Sequence, residues 1–332
     1  MPKFIIDKQS VTPLYKQLVD QIELSILNNI IQKNYKLPSV NKICIEHKIS
    51  RDSVLLAYSI LKKKGIINAI GGKGYYVKTN AINYQKRYFL LFDELNTFKE
   101  DIYNAFIEPL NGKAIVEIYF HHFNVEMFKK LVNDANGNYS KYIIMPSNLK
   151  DIEDVVHSLP PADVYILDQT RKTLSSYSTI YQNFTDAIYN ALFSVKLKLR
   201  RYSRIILVFT NKKEPLGMIE GFNKFCSTHN FEHKIIYKYE DYYLEKSTVY
   251  LTPGDNDLVS ILESSKKMGY RIGKDVGIIS YNDTPLKKVV ADGITTISTD
   301  FKEMGSQLAS MVWHEQKHKI ENPSRIILRK SL

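Results

Sequence analysis

Leu37-Pro38-Ser39-Val40-Asn41-Lys42-Ile43-Cys44-Ile45-Glu46-His47-Lys48-Ile49-Ser50-Arg51-Asp52-Ser53-Val54 carries two helix starts separated by one tight turn. Ser39, after Leu37-Pro38, is placed to cap a short helix running to about Glu46, with Val40, Ile43 and Cys44 turned inward. His47-Lys48-Ile49 forms the turn. Ser50 caps a third helix whose inner face is Val54, Ala57, Tyr58 and Leu61, and Gly65 supplies its left-handed stop. Working outward, Thr12 caps an earlier helix with Pro13 at its first position, where a missing N–H costs nothing. Leu14, Leu18, Ile22 and Ile26 recur every four residues along it. Downstream, 66–70, the glycine-rich Gly71-Gly72-Lys73-Gly74 and 75–78 read as strand, hairpin tip and strand. Helix, short helix, turn, helix and hairpin make a winged helix-turn-helix.

In that fold Arg51, Asp52 and Ser53 occupy the first turn of the recognition helix, where side chains reach base edges and backbone N–H groups meet phosphate. A guanidinium suits the guanine edge, so Arg51 is the base-reading candidate. Ser39, Ser50, Ser53, Gly72, Lys73 and Gly74 complete the expected DNA-binding set, with Lys73 at the wing tip. Charge agrees: residues 1–80 hold 13 Lys and Arg against 5 Asp and Glu, a net +8 out of +11 for all 332 residues. Gly72-x-Gly74 is followed by a strand rather than a helix, which excludes a dinucleotide or P-loop reading.

Composition narrows the remaining classes. Hydrophobic residues at 44% and charged residues at 24% describe a globular chain of about two domains. No apolar run approaches membrane-spanning length, and the start, Met1-Pro2-Lys3-Phe4, lacks a leader's apolar core. Cys44 and Cys226 make neither a disulfide framework nor a CxxC zinc site, so a cytoplasmic setting without membrane contact is expected.

Residues 11–78 resemble the DNA-binding domain of the GntR family of bacterial transcription regulators. The likeness is carried by Pro13-Leu14-Tyr15, Leu37-Pro38-Ser39, Ser50-Arg51-Asp52-Ser53-Val54, Gly65 and Gly72-Lys73-Gly74-Tyr75-Tyr76-Val77. The resemblance implies an arginine two residues after Ser39 and a basic residue two after Ser53; Asn41 and Leu55 stand there instead.

Residues 79–87 show no periodicity. The expected organisation is therefore a head over 1–79, a linker over 80–87 and a second domain over 88–332. In that second domain short apolar runs (88–92, 114–120, 142–145, 164–167, 204–209, 234–237, 249–251, 276–281, 294–298, 325–328) alternate with helical patterns (98–110, 125–135, 186–195, 216–229, 255–268, 301–314). Such alternation demands parallel sheets covered by helices on both faces, with ligands at the carboxyl ends of the strands. From Gly254-Asp255 through Met268-Gly269-Tyr270 to Tyr281-Asn282-Asp283, with Thr295-Thr296-Ile297 and Met304-Gly305, the chain resembles LacI-type effector domains, akin to periplasmic sugar-binding proteins. The fold class expected is thus α/β: a winged helix-turn-helix plus a two-lobed periplasmic-binding-protein-like domain. The resemblance implies a sugar or nucleoside between the lobes, at Asp255 and Asn282, with Gln182, Asn183 and the loop beginning at Asp93 as further candidates. Asp255 as a helix cap and Asn282 as a turn residue are the structural alternatives. Where the family places a ligand-holding arginine, three residues before Gly221, this chain has Met218.

The expected function is a ligand-responsive, sequence-specific transcription regulator. It would bind double-stranded DNA at a palindromic operator as a homodimer, without cofactor, metal or catalysis. Two other classes stay open: a small-molecule module whose basic head contacts RNA or protein, and a zinc hydrolase using His314-Glu315-x-x-His318, for which no third ligand follows. His121 and His122, read as neighbours on one strand, would point to opposite faces.

Overall fold

The computed structural model describes residues 4–10, 12–80, 86–210, 213–240 and 244–332. The head consists of α1 (Leu14–Leu27), α2 (Val40–His47), α3 (Arg51–Lys63), β1 (Ile67–Ile70) and β2 (Gly74–Val77). Its helices begin where side chains satisfy their free N–H groups: Ser39 accepts from Lys42 N and Ser50 from Ser53 N. Lys48, in the left-handed region at φ 51°, turns the chain between α2 and α3. The first helix departs from expectation by one residue. Pro13 has extended backbone (ψ 138°) and is itself the cap residue, so α1 starts at Leu14, while the Thr12 carbonyl accepts from Gln17 Nε2 at 2.7 Å.

The amphipathic faces close one core. Leu18, Ile22 and Ile26 of α1 meet Val54, Ala57, Tyr58 and Leu61 of α3, with Ile43 of α2 and Phe4 beneath. Of the three α2 residues expected inside, only Ile43 is fully buried. Each large buried side chain contributes about 1.5–3 kcal/mol. Tyr58 also donates to the Pro38 carbonyl at 2.7 Å, tying α3 to the start of α2. The hairpin pairs Ile67 with Val77 and Ile70 with Gly74, and Lys36 bridges to Tyr76 as a third short edge.

Beyond the head the chain runs β3 (Lys86–Phe92), α4 (Thr97–Ile107), β4 (Ala114–Phe120), α5 (Val125–Ala135), β5 (Lys141–Ile144), α6 (Glu153–His157), β6 (Val164–Asp168) and β7 (Ser178–Tyr181). It continues with α7 (Phe184–Ser194), α8 (Lys196–Leu199), β8 (Arg204–Val208), α9 (Gly217–His229), β9 (Glu232–Ile236), β10 (Thr248–Thr252) and α10 (Asp255–Lys267). The last elements are β11 (Val276–Tyr281), α11 (Pro285–Val289), β12 (Thr295–Thr299), α12 (Phe301–Trp313), β13 (Lys319–Glu321) and β14 (Ser324–Ile327). Of the expected linker 80–87, residues 81–85 lie outside the described residues, and Lys86 and Arg87 belong to β3.

Two six-stranded sheets result, in the orders β13-β7-β6-β5-β3-β4 and β14-β12-β11-β10-β8-β9. The first is parallel throughout; the second is parallel except for β14, which runs against β12. Both are buried on two faces, as parallel sheets must be. In β3, Tyr88, Leu90 and Phe92 pack with Ile102 and Phe106 of α4 and Met304 and Leu308 of α12, whereas Phe89 and Leu91 meet Phe128 and Val132 of α5. The second lobe repeats the plan, with Ile205 and Leu207 against Phe222 and Phe225 of α9 and Ile206 and Val208 against Leu258 and Ile261 of α10.

The chain passes between the lobes three times: after β7, between β12 and α12, and between β13 and β14. Strands β7 and β13 lie outside the alternation read from the sequence. Helix packing at the two ends of this exchange needs glycine. A Cβ on Gly221 would lie 2.2 Å from the Thr185 carbonyl oxygen of α7, and one on Gly305 would lie 2.4 Å from that of Ile102 in α4.

Candidate nucleic-acid interface and interlobe cavity

On the head, α3 and the hairpin expose a polar face opposite their core. Arg51 is the first residue of α3 and is exposed, as are Ser39 and Ser50, while Ser53 is half-buried. The serines have structural tasks as well: the Ser50 and Ser53 hydroxyls lie 2.8 Å apart, and the Ser39 and Ser50 side chains are the helix caps. Arg51 Nη1 donates to Asn41 Oδ1 at 3.1 Å. The residue that departs from the resemblance thus aims the residue that carries it. Gly72 (φ 69°) and Gly74 (φ 105°) take left-handed backbone that places exposed Lys73 at the hairpin tip. Lys36 joins this face, its ammonium 6.0 Å from the Tyr76 ring centre. The sequence reading missed it; its signal was a cation immediately before Leu37-Pro38.

Between the lobes, at the carboxyl ends of the strands, lies a cavity of about 560 Å³. Asp93, Gln182, Asp255 and Asn282 border it. Asn183 is not among the lining residues; its side chain caps α7, accepting from Asp186 N at 3.2 Å. Asp93, just past β3, is buried; it accepts from Ser147 Oγ at 2.9 Å and faces Lys99 Nζ of α4 at 3.5 Å. Asp168 ends β6 in left-handed backbone and accepts from Gln182 Nε2 at 2.6 Å, and Gln182 Oε1 accepts from Tyr281 of the second lobe at 3.3 Å. This chain of bonds crosses the first interlobe passage. Asp255 is not the cap of α10, a position held by Gly254; it is the first helical residue and pairs with Lys287 Nζ at 2.8 Å. Buried Lys287 also donates to the carbonyls of Tyr281 and Asn282 at 2.7 and 3.0 Å. Asn282 holds left-handed backbone at φ 60°, and its buried Oδ1 has no donor among the described residues.

The cavity also gathers groups that the sequence did not single out: Lys99, Asp168, Lys213, Glu214, Asp257 and Lys287. Phe98 and Phe301, with ring centres 5.0 Å apart, add an apolar wall, and Phe184 and Tyr281 add another. Burial raises the Asp168 carboxyl above the usual range despite Lys99 beside it. Burial pulls on Lys99 too, but Asp168 and Asp93 outweigh it and hold the ammonium above its ordinary value. Glu214 is pushed up to about 7 by burial and by Glu94. Across the mouth, Lys213 of the second lobe pairs with Glu94 of the first at 2.8 Å, and Asn148 Nδ2 donates to the Glu214 carbonyl at 2.7 Å.

The histidine pairs lie elsewhere. Helix α12 ends at Trp313, and Glu315 follows in left-handed backbone, so His314 and His318 do not sit one turn apart on a helix. The Glu315 carboxylate pairs with Lys141 at 3.1 Å. His121 and His122 fall just past β4 rather than on it; His121 is buried, 3.0 Å from the Met145 carbonyl. No helix among the described residues is long and apolar enough to cross a membrane.

Comparison with known proteins bears on both parts. Residues 14–77 match the model of bacterial regulatory proteins of the gntR family, and residues 196–332 match that of the periplasmic binding protein-like domain. The HTH-type transcriptional repressor YtrA of Bacillus subtilis is 36% identical over 132 residues, which is 40% of this chain and 94% of that repressor. The B. subtilis repressor NagR is 35% identical over 112 residues, 34% of this chain and 43% of NagR. Among solved structures, the trehalose repressor from Escherichia coli superposes with a TM-score of 0.62 at 12% identity, covering 74% of this chain and all of that one (100%). The Lac repressor bound to ONPG gives 0.61 at 15% identity, covering 85% of this chain and 90% of that chain. At such identities these structures speak for the fold: two lobes of the LacI type behind a helix-turn-helix head.

Proposed function

This chain belongs to the gntR family of bacterial regulatory proteins, and from that premise we propose that it binds a palindromic operator as a homodimer and that a small sugar-like effector, held between its lobes, modulates the binding. The observation that carries the reading is one chain joining a basic, capped recognition helix and wing to a polar interlobe cavity of about 560 Å³. In this reading residues 1–79 are the DNA-binding head and 88–332 the effector-binding and dimerising body. Arg51 reads a base edge, Lys73 holds the backbone of the adjacent groove, and Ser39, Ser50, Ser53, Gly72 and Gly74 shape or touch the same contact. Asp93, Gln182, Asp255 and Asn282 contact effector, whereas Asn183 serves through α7. Because three passages join the lobes, an effector that favours one lobe angle changes the spacing of two paired heads; it acts only through differential affinity for the DNA-competent state. In this reading the protein acts as a regulator rather than a catalyst and works in the cytoplasm.

The test is selection of duplexes from a random pool by the full chain, followed by salt titration of the selected duplex against random duplex. A regulator shows a sequence-dependent gap of about 10³ or more in affinity. Equal affinity for both duplexes, or preference for RNA, rejects it in favour of a basic head that serves another partner.

A further inference from the structure

Resting on the reading that the interlobe cavity receives the effector, we propose that it selects a small, hydroxyl-rich ligand bearing a protonated amine, an amino-sugar-like cation, over neutral and anionic analogues. Among the described residues the walls carry six carboxylates and three ammonium groups. The three ammonium groups are engaged: Lys99 faces Asp93 at 3.5 Å, Lys213 pairs with Glu94 at 2.8 Å and Lys287 with Asp255 at 2.8 Å. That leaves Asp168, Glu214 and Asp257 without an ion pair within 4.0 Å among the described residues. Uncharged groups serve two of them, Gln182 for Asp168 and the Thr210 hydroxyl for Asp257. Among the described residues no arginine lines the cavity, and Met218 brings only a thioether.

An incoming anion would therefore meet more carboxyl than ammonium groups, and because burial already holds the Asp168 and Glu214 carboxyls above their usual range, a cation that restores their ionised form is favoured there over an anion. Helix N-termini are the usual compensation for an anion; here that of α4 is capped, and that of α10, which has no side-chain cap, already carries two carboxylates. Asn96 caps α4 with bonds to Phe98 N and Lys99 N, and Asp255 and Asp257 occupy the first turn of α10. Among the described residues several wall acceptors lack charged donors: Asn282 Oδ1 is buried without any, and Asp168 and Asp257 accept from the uncharged Gln182 amide and Thr210 hydroxyl. An ammonium with several hydroxyls supplies them, and the Phe98–Phe301 and Phe184–Tyr281 pairs offer ring faces to both its cation and its apolar ring face. Glu214, held partly protonated near neutrality by burial and Glu94, would be kept ionised by such a neighbour.

The experiment titrates the full chain, by calorimetry and thermal shift, with three matched sets: glucosamine, galactosamine and mannosamine; glucose, galactose and mannose; and the three corresponding 6-phosphates. The expected result is an amino sugar that binds at least about tenfold tighter than its neutral counterpart, with its phosphate weaker still. Glu214→Gln and Asp257→Asn each reduce that preference, read as the ratio of amino-sugar to neutral-sugar affinity, with a melting curve as the folding control. A neutral sugar that binds as tightly, a phosphate that binds more tightly, or a preference untouched by both variants overturns the charge selection and leaves the effector cavity standing. No binding by any of the nine overturns both.

Discussion

Replacement of Arg51 by Ala separates base reading from mere charge. Arg51 is exposed at the first position of α3, and its side chain donates from Nη1 to Asn41 Oδ1 at 3.1 Å. The fold therefore loses little: an exposed surface change stays within about 0.5 kcal/mol, and removal of a cation from a helix N-terminus is mildly favourable. Binding loses much more. A guanidinium on a guanine edge is worth about 1–3 kcal/mol, which is roughly 5- to 150-fold in Kd. Asn41→Ala leaves the guanidinium but not its aim, and costs about 0.5–1 kcal/mol. Because the two residues act as a unit, the double variant should cost less than the sum of the single variants by about the same amount. Fluorescence anisotropy at fixed salt, on a selected duplex and a random duplex, reads all four proteins, with a melting curve as the folding control. The reasoning is refuted if Arg51→Ala weakens both duplexes equally and lowers the salt slope by about one, because that is the signature of a phosphate contact.

Lys73→Ala should show that very signature, with both duplexes weakened alike; a loss confined to the selected duplex would assign the wing a base instead. Ser50→Ala removes the bond to Ser53 N and should cost about 1 kcal/mol of stability by denaturant titration; an unchanged midpoint would show that the cap is idle. Gly305→Ala places a Cβ 2.4 Å from the Ile102 carbonyl oxygen and should destabilise by about 1–3 kcal/mol through separation of α12 from α4; a wild-type midpoint would contradict that packing. In the folded chain Glu214 retains its proton up to about pH 7, whereas the unfolded chain releases it near 4.5. Stability from this group is thus complete below about pH 4.5 and declines as pH rises through 7, and Glu214→Gln should raise stability at pH 8 relative to pH 5 by about 2–3 kcal/mol compared with wild type. A parallel pH profile would dismiss the shift. Asp255→Ala removes the ion partner of Lys287, which keeps its bonds to the Tyr281 and Asn282 carbonyls, and should abolish the effector's influence on operator affinity without changing that affinity in its absence; a retained response would remove Asp255 from the site.

The head could be read almost residue by residue because its determinants are local. The Ser39 and Ser50 caps, the Val54, Ala57, Tyr58 and Leu61 stripe and the Gly65 stop each depend on neighbours within a turn or two, and each stands where its spacing puts it. The first cap slipped by one residue because the fixed φ of proline suits a cap position as well as a first helical position. In the body, the alternation of apolar runs with helical periods set the α/β class and most element positions. It left out β7, whose Ser-Thr-Ile-Tyr carries no continuous apolar run, and β13, whose place beside β7 is fixed by pairing across more than a hundred residues of sequence.

The sequence by itself determined most helix starts and stops and the two-faced burial of the strands, which follow from short-range sterics and hydrophobic periodicity, and the basic head, which follows from composition; Asp255 and Asn282 were pointed out by the resemblance to LacI-type effector domains. Tertiary structure alone decided which lobe each late strand joined, that Asn41 aims Arg51, and that Lys99 of α4, Asp168 of β6, Glu214 and Lys287 share one cavity. In sequence Lys99 is one lysine of an amphipathic helix. Its burial among carboxylates arises because three chain passages fold two lobes against each other, and that long-range juxtaposition leaves no local pattern in the residues it brings together.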